Sequence, residues 1–425
     1  MATTAERLEA MGRAAKVAAR KLAYLNTEVK NRALYRVSEA LVREQDAILA
    51  ANAQDLAAGR AAGLSEALLD RLLLNPERLR SLAEDVRAVA SLPDPVGEIF
   101  EMRTLPNGLK VGKKRVPLGV IGAIYESRPN VTVDIACLCL KSGNACILRG
   151  GREALSTNRA LAGLLVREFT TAGVPEGAVQ FVDDPDRALV GEMLRMREYI
   201  DLLVPRGGAE LIRYVAENAT MPVVTGGIGV CHTYVDEAAD LEKAVRIVYN
   251  AKVRRPSICN ALDTLLVHRS VAAAFLPLIA REWLRAGVEM RCDETSLGIL
   301  RAAGFEAGVV RAQPDDFGRE FLSLRAAVKV VDSLAEAIDH IHRYGSGHSE
   351  AIVTENYGAA MRFLDEVDAA AVYVNASTQF TDGAQFGLGA EVGISTQKFH
   401  ARGPMGLKEL TSYKWIILGD GHVRP

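Results

Sequence analysis

Short apolar runs alternate with helix-length amphipathic stretches from residue 117 to about 235, and this alternation narrows the possible folds more than any other feature. Strands are expected at 118–124, 145–149, 178–182, 200–204 and 223–224, with 233–235 close behind. Helices fit 131–142, 154–172, 184–196 and 209–218. Strands separated by helices of this length lie parallel, in a doubly wound sheet that holds ligands at the carboxyl ends of its strands. A second pattern of the same kind begins with the apolar run 261–267, which reads as a buried strand. It continues with helix 270–286, strand 326–331, helix 334–341, strand 350–353, helix 358–367 and strand 371–374.

Ahead of the first sheet, residues 5–91 read as helical. Leu34, Val37, Leu41 and Ile48, and then Leu68, Leu72, Leu79, Leu82 and Val86, recur at helical spacing. Gly63 and Asn75-Pro76 punctuate this region, and Pro93 and Pro95 end it. Two extended runs, 99–105 and 109–116, then flank Pro106-Asn107-Gly108, a strong hairpin signal. A lone two-stranded ribbon is marginal, so it needs a sheet partner, here or on another subunit. The apolar tail strand at 412–418 is the natural candidate.

A net charge of −2 over 425 residues offers no basic excess for nucleic acid, although local basic clusters can hold a small anion. No apolar run approaches membrane-spanning length. The 1–21 stretch has no apolar core for a signal peptide and carries Glu6 and Glu9, so a cytoplasmic setting is expected. The six cysteines form no C-x-x-C pair and no disulfide framework. No metal motif is expected from the seven histidines, and His340-x-His342 reads as a helix surface.

Two strand-to-helix junctions combine glycine with arginine: Leu148-Arg149-Gly150-Gly151-Arg152-Glu153 and Val204-Pro205-Arg206-Gly207-Gly208-Ala209-Glu210. Glycine lets a phosphate approach the backbone, and a helix start offers unpaired N–H groups and a positive dipole end. Arg149, Arg152 and Arg206 add donors suited to phosphate oxygens. No G-x-G-x-x-G follows a strand, so the common dinucleotide fingerprint is missing. Gly-Gly turns also occur as plain loops. In the second half, Lys252, Arg254 and Arg255 precede a Pro256-Ser257 turn and then Cys259, at the mouth of the 261–267 strand. Thiolate is the nucleophilic form, and nearby positive charge favours it. A free cysteine is also a small hydrophobe that packs in cores. The segment alone leaves both readings open. The glycine-rich run 386–396, followed by His400-Ala401-Arg402-Gly403-Pro404, suits a pocket wall better than a core strand.

These residues resemble the aldehyde dehydrogenase superfamily. More narrowly, Tyr125-Glu126-Ser127-Arg128-Pro129-Asn130, the two Gly-Gly junctions, Arg255-Pro256-Ser257-Ile258-Cys259-Asn260-Ala261-Leu262 and Leu388-Gly389-Ala390-Glu391-Val392-Gly393-Ile394-Ser395-Thr396 resemble the gamma-glutamyl phosphate reductases. The match spans nearly the whole chain. It implies an α/β, aldehyde-dehydrogenase-like fold of two doubly wound αβα domains with a small β oligomerisation arm. The expected partition is 1–97 with 117–250 for the cofactor, 251–408 for catalysis, and 98–116 with 409–425 for the arm.

The resemblance further implies NADPH-dependent reduction of L-glutamyl 5-phosphate to the semialdehyde in proline biosynthesis, through a thioacyl enzyme on Cys259. Asn130 and the Cys259 N–H are the oxyanion donors it suggests. NADP(H) falls to Arg149, Gly150, Gly151, Arg152, Arg206, Gly207, Gly208 and, at the nicotinamide ribose, Glu320. Arg255 and Arg402 are candidates for the substrate's carboxylate or phosphate. Hydrolytic relatives carry a glutamate in Glu-Leu-Gly-Gly-Lys; here Val223-Val224-Thr225-Gly226-Gly227-Ile228 puts Val224 at that place, and an alkyl group accepts no proton. Expected partners are the small-molecule substrate, further copies in a homodimer or homotetramer, and a transient complex with glutamate 5-kinase, but neither nucleic acid nor membrane. The competing readings are a hydrolytic or CoA-acylating dehydrogenase and a non-catalytic scaffold of the same fold.

Overall fold

The computed structural model describes residues 4–226 and 228–424. Met1 to Thr3 of the N-terminal stretch, Gly227 of the Thr-Gly-Gly motif and Pro425 of the tail lie outside the described residues. The chain divides into two compact units. One runs to Thr225 and takes back Gly387–Gly393 and the chain from Pro404; the other comprises Gly226–Phe386 and Ile394–Gly403.

The first unit opens with helices α1 (Thr4–Leu22), α2 (Thr27–Arg43), α3 (Gln45–Ala61), α4 (Glu66–Leu72) and α5 (Pro76–Ser91). Asn26, Ser65 and Asn75 cap α2, α4 and α5, each side-chain oxygen accepting a first-turn N–H. The leucine and valine stripes expected on α2 and α5 are buried. Strands β1 (Ile99–Thr104) and β2 (Lys110–Pro117) form the antiparallel hairpin, with Gly108 in the left-handed region at φ 89°. The tail strand Thr411–Leu418 pairs along the full length of β2. The third strand of the arm therefore comes from the same chain, with no second subunit required.

The parallel sheet of this unit follows: β3 (Val120–Tyr125), α6 (Asn130–Lys141), β4 (Ala145–Gly150), α7 (Leu155–Thr171), β5 (Val179–Phe181), α8 (Ala188–Met193), β6 (Leu202–Arg206) and α9 (Ala209–Asn218). Its strand order is β5-β4-β3-β6. The chain steps outward from β3 to β5, then returns to the far side of β3, which puts the switch in strand order between β3 and β6. Expected strand 223–224 reduces to one bridge, Leu203 to Val223. Helix α8 begins later than expected because Asp184 and Asp186 accept the N–H groups of Asp186 and Ala188, local turns that compete with helix.

The second unit contains β7 (Cys231–Val235), α10 (Leu241–Val253), β8 (Leu262–His268), α11 (Arg269–Arg285), β9 (Glu289–Cys292), α12 (Glu294–Ala302), β10 (Val309–Arg311), β11 (Arg325–Val331), α13 (Leu334–Tyr344), β12 (Ser349–Val353), α14 (Tyr357–Glu366) and β13 (Ala371–Val374). All seven strands are parallel, in the order β10-β9-β11-β8-β7-β12-β13. Strand β7, expected to close the first sheet, instead pairs with β8 and β12, and Ala244, Val248 and Ala251 of α10 enter this unit's core. The compact division thus falls ahead of the expected 250/251 boundary. Leu265 and Val267 join one core with Phe275, Ile279 and Trp283, while Leu266 joins another with Ile338, Ile352 and Phe363. A strand buried on both faces is what makes 261–267 continuously apolar.

Candidate active site

In the first unit, β3 lies between β4 and β6, with Tyr125 in register with both Gly150 and Arg206. The loop after β3 stays tied to this edge, since the Glu126 N–H donates to the Arg206 carbonyl at 3.0 Å. Glu126 then turns its carboxylate onto the Gly208 N–H at 2.9 Å. A Cβ on Gly207 would stand 2.4 Å from that carboxylate oxygen, the far end of a flexible side chain. The next residue, Ser127, donates from both N–H and Oγ to Glu153, at 2.7 and 2.8 Å. One loop therefore links both Gly-Gly junctions.

This wiring corrects an expectation. The start of α7 offers no free pair of N–H groups: Ser156 and Thr157 both donate to Asp55 of α3, at 3.1 and 2.8 Å. At α9 the Gly208 N–H is already held by Glu126. A carboxylate reaching in from elsewhere in the chain was invisible to a reading based on local spacing. Arg149 also differs from expectation. It is buried, and its Nη2 donates to the Pro185 and Asp186 carbonyls at 3.4 Å. Burial lowers its pKa, against the attraction of Glu153. Its Nε is buried without a hydrogen-bond partner among the described residues. Arg152 is exposed, and Arg206 is half-buried.

Asn130 opens α6 and is half-buried; its Nδ2 donates to Asp134 Oδ2 at 2.8 Å. Desolvation pushes the Asp134 carboxyl up to about 7. The Asn130 hydrogen bond opposes that shift, the Asp85 charge adds to it, and Arg206 opposes it. Val224 is buried, with its N–H on the Leu203 carbonyl at 2.9 Å.

In the second unit, Cys259 lies between α10 and β8. It is half-buried, whereas the other five cysteines are buried and all six are free thiols. Its segment is clasped by residues 378–381. Gln379 Nε2 donates to the Ala251 and Arg255 carbonyls at 3.0 and 3.3 Å, and Arg254 donates to Gln379 Oε1 at 3.1 Å. Asn260 Nδ2 reaches the Thr381 carbonyl at 3.0 Å, while the Thr378 hydroxyl donates to the Asn260 carbonyl at 2.7 Å. Gly229 backs the Cys259 carbonyl so closely that a Cβ there would stand 1.5 Å from its oxygen. Glu320 accepts the Gly229 N–H at 2.9 Å, and the Cys231 thiol donates to the Cys259 carbonyl at 3.2 Å.

Lys252, part of the basic segment, is buried beside Asp263 at 3.5 Å. Burial pushes Asp263 up to about 6, against the pull of Lys252, and burial lowers Lys252. Arg255 is exposed. Arg402 pairs with Asp368 at 2.7 Å, and Lys398 pairs with the same carboxylate at 2.5 Å. The charge of Arg402, a candidate substrate residue, thus has an internal partner in this resting arrangement, while its Nε is buried without a hydrogen-bond partner among the described residues. His340 is no surface residue: it is buried in edge-on contact with His232 and Phe317, and burial lowers its pKa to about 3. His232 in turn meets the buried Glu350 through both N–H and Nδ1. Among the described residues, no group of three or more His, Cys, Asp or Glu could hold a metal, and no helix is long and apolar enough to cross a membrane.

Two parallel αβ units, one with a half-buried cysteine framed by backbone contacts, define a class, and comparison agrees with it. Residues 1–303 match the aldehyde dehydrogenase family. The chain is 59% identical over 417 residues to the gamma-glutamyl phosphate reductase of Dehalococcoides mccartyi, covering 98% of each. It is 58% identical over 420 residues to that of Roseiflexus castenholzii, covering 98% of this chain and 99% of the relative. The crystal structure of the Thermotoga maritima gamma-glutamyl phosphate reductase superposes with a TM-score of 0.94 at 48% identity, over 98% of this chain and 100% of the other. The chain belongs to the aldehyde dehydrogenase family and, within it, to the gamma-glutamyl phosphate reductases.

It is an oxidoreductase acting on an aldehyde group of a small-molecule substrate, and its family supports a nicotinamide cofactor. At this edge of the first unit Arg152 is exposed and Arg206 half-buried, while Asp55 occupies the start of α7.

Proposed function

We propose that the chain reduces L-glutamyl 5-phosphate to L-glutamate 5-semialdehyde with NADPH, releasing phosphate, through a thioacyl enzyme on Cys259. The observation that carries this reading is the exposure pattern: among six free cysteines Cys259 alone is not fully buried, and it lies in a segment clasped on both sides. The Cys259 thiolate attacks the acyl carbon, and the bond from that carbon to the phosphate oxygen breaks. The chemistry a reduced nicotinamide would supply, when held there, is hydride to the thioester carbon. As the carbonyl re-forms, the carbon–sulfur bond breaks and Cys259 leaves as thiolate.

The Cys259 N–H and Asn130 are the proposed oxyanion donors. Asn130 gives one amide hydrogen to Asp134 and carries a second on the same nitrogen. Gly150, Gly151, Arg152, Arg206, Gly207 and Gly208 would hold NADP(H), with Arg152 meeting the 2′-phosphate, and Glu320 would meet the ribose. Arg149, buried against carbonyls, supports that edge from behind. Arg255 is the proposed contact for the substrate's anionic groups. Val224 supplies no base for water, which favours exchange of the thioester with phosphate over hydrolysis.

We further propose a cytoplasmic homo-oligomer, a dimer or tetramer assembled through the arm and able to meet glutamate 5-kinase. Exposed Ile99, Met102, Trp415, Ile417 and Leu418 on the three-stranded arm support the assembly. The test is oxidation of the semialdehyde, followed by NADPH absorbance with and without inorganic phosphate. Strict dependence on phosphate is expected. Equal rates without it would make water the acceptor and overturn the acyl-phosphate reading.

A further inference from the structure

Glu320 enters the reading above as a contact for the cofactor, yet its carboxylate already has work inside the protein. Its Oε1 accepts the Gly229 N–H at 2.9 Å, just ahead of β7. Gly229 stands against the peptide of the nucleophile: a Cβ built there would lie 1.5 Å from the Cys259 oxygen, 2.5 Å from its carbonyl carbon and 3.0 Å from its Cα. Pulling Gly229 toward Glu320 or releasing it therefore moves the wall behind Cys259. The Cys231 thiol donates to the same carbonyl at 3.2 Å, so the peptide is held from two directions.

The Glu320 loop is itself pinned. The Phe321 N–H donates to Asp263 at 3.0 Å, and Asp263 is buried beside Lys252. Lys252 sits on the last turn of α10 and Asp263 on β8, the two elements that Cys259 connects. The anchor of the loop and the segment carrying the nucleophile thus share one frame. A loop fixed by a buried acceptor on that frame keeps its carboxylate in register with Gly229.

We infer that Glu320 is a positioning residue for Cys259: through Gly229 it fixes the peptide plane of the nucleophile, whether or not a cofactor is bound. The inference rests on the proposed nucleophilic role of Cys259. A cofactor-free acylation separates it from any contact with ribose. With p-nitrophenyl acetate as probe, the Cys259 thiolate attacks the ester carbonyl carbon, the carbon–oxygen bond to the nitrophenyl group breaks, and p-nitrophenolate leaves in a burst.

Without nicotinamide present, Glu320→Ala should slow that burst about tenfold or more, since small misplacements of a reacting group cost one to two orders of magnitude. Glu320→Gln, which keeps an oxygen for the Gly229 N–H, should recover most of the lost rate. Glu320→Met, similar in length but without an acceptor, should not recover it, and serves if the alanine variant fails to fold. Hydrogen exchange at Gly229 should quicken in the same variants that lose the burst. A burst rate within twofold of wild type in folded Glu320→Ala or Glu320→Met would overturn the inference. A burst that persists in Cys259→Ser would instead overturn the nucleophile assignment on which it rests.

Discussion

The two units use opposite edges of the same kind of sheet. In the first, Glu126, Asn130, Gly150, Gly151, Arg206, Gly207 and Gly208 all lie at or beyond the carboxyl ends of β3, β4 and β6, where the strand order reverses. In the second, Gly229, Cys259 and Glu320 all come before their strands β7, β8 and β11, at the amino edge. On the proposed roles, the rule that parallel sheets bind ligands at their carboxyl edge describes one half of this molecule and not the other. The way each edge is stiffened also differs. In the first unit, side-chain carboxylates fill backbone N–H positions. In the second, side chains also hold the segment, Glu320 on the Gly229 N–H and Gln379 and Thr378 around Cys259, and in addition the Gly229 backbone stands directly against the Cys259 peptide. Side chains can shift to admit a cofactor; a backbone wall cannot.

The largest expected effect lies at the amino edge itself. Cys259→Ser should fold normally and lose at least about 10³-fold in phosphate-dependent semialdehyde oxidation, as removal of a nucleophile does. Near-wild-type turnover would remove Cys259 from the chemistry.

Next comes a matched pair of glycines. Gly229→Ala puts a methyl group into the Cys259 carbonyl, so the backbone must move, and kcat should fall about 10²-fold. Gly207→Ala meets the mobile ends of Glu126 and Leu211, so it should cost about 1 kcal/mol for the strained Gly208 contact and mainly raise the cofactor KM. Equal kcat losses in the two variants would erase the distinction between a rigid edge and a yielding one.

The third contrast uses pH. Asp134 holds its proton up to about 7 when folded, far above an ordinary aspartate, so the folded state binds more protons than the unfolded one between about pH 4 and 7. Its contribution to stability is greatest below that window and declines as pH rises through it. Asp134→Asn removes the titration, so its stability relative to wild type should grow from pH 4 to 7 and level off above. Denaturant midpoints across that range give the answer, and parallel curves would mean that Asp134 ionises as an exposed carboxyl does. Asp85, Arg206 and Asn130 are the groups acting on it and remain in both proteins. The smallest effect is expected for Arg402→Ala. Its partner Asp368 keeps Lys398, so stability should change by less than about 0.5 kcal/mol and the substrate KM by less than twofold. A large rise in KM would show that Arg402 leaves Asp368 for substrate.

Periodicity alone placed α9 and β13 at their observed ends, and the βα alternation gave the parallel sheets, because these depend on residues a few positions apart. The Asn107-Gly108 turn and the tail strand were legible for the same reason, whereas Cys259 stood out only through the family resemblance of its motif, and its exposure among the cysteines came from the structure. Other features depended on contacts far apart in sequence. Asp55 caps a helix that starts a hundred residues later, β7 pairs outside the sheet it follows, and the tail closes the hairpin of its own chain. Spacing does not encode such partners, since any buried acceptor can satisfy an N–H and any open edge can take a strand. Local sequence thus determined which residues were suited to the chemistry, whereas the tertiary structure decided which charges were free to perform it. Arg149, Arg402 and Lys252 all read as available cations, and each is already bound to a carbonyl or carboxylate, because a cation drawn into the protein must find an internal partner.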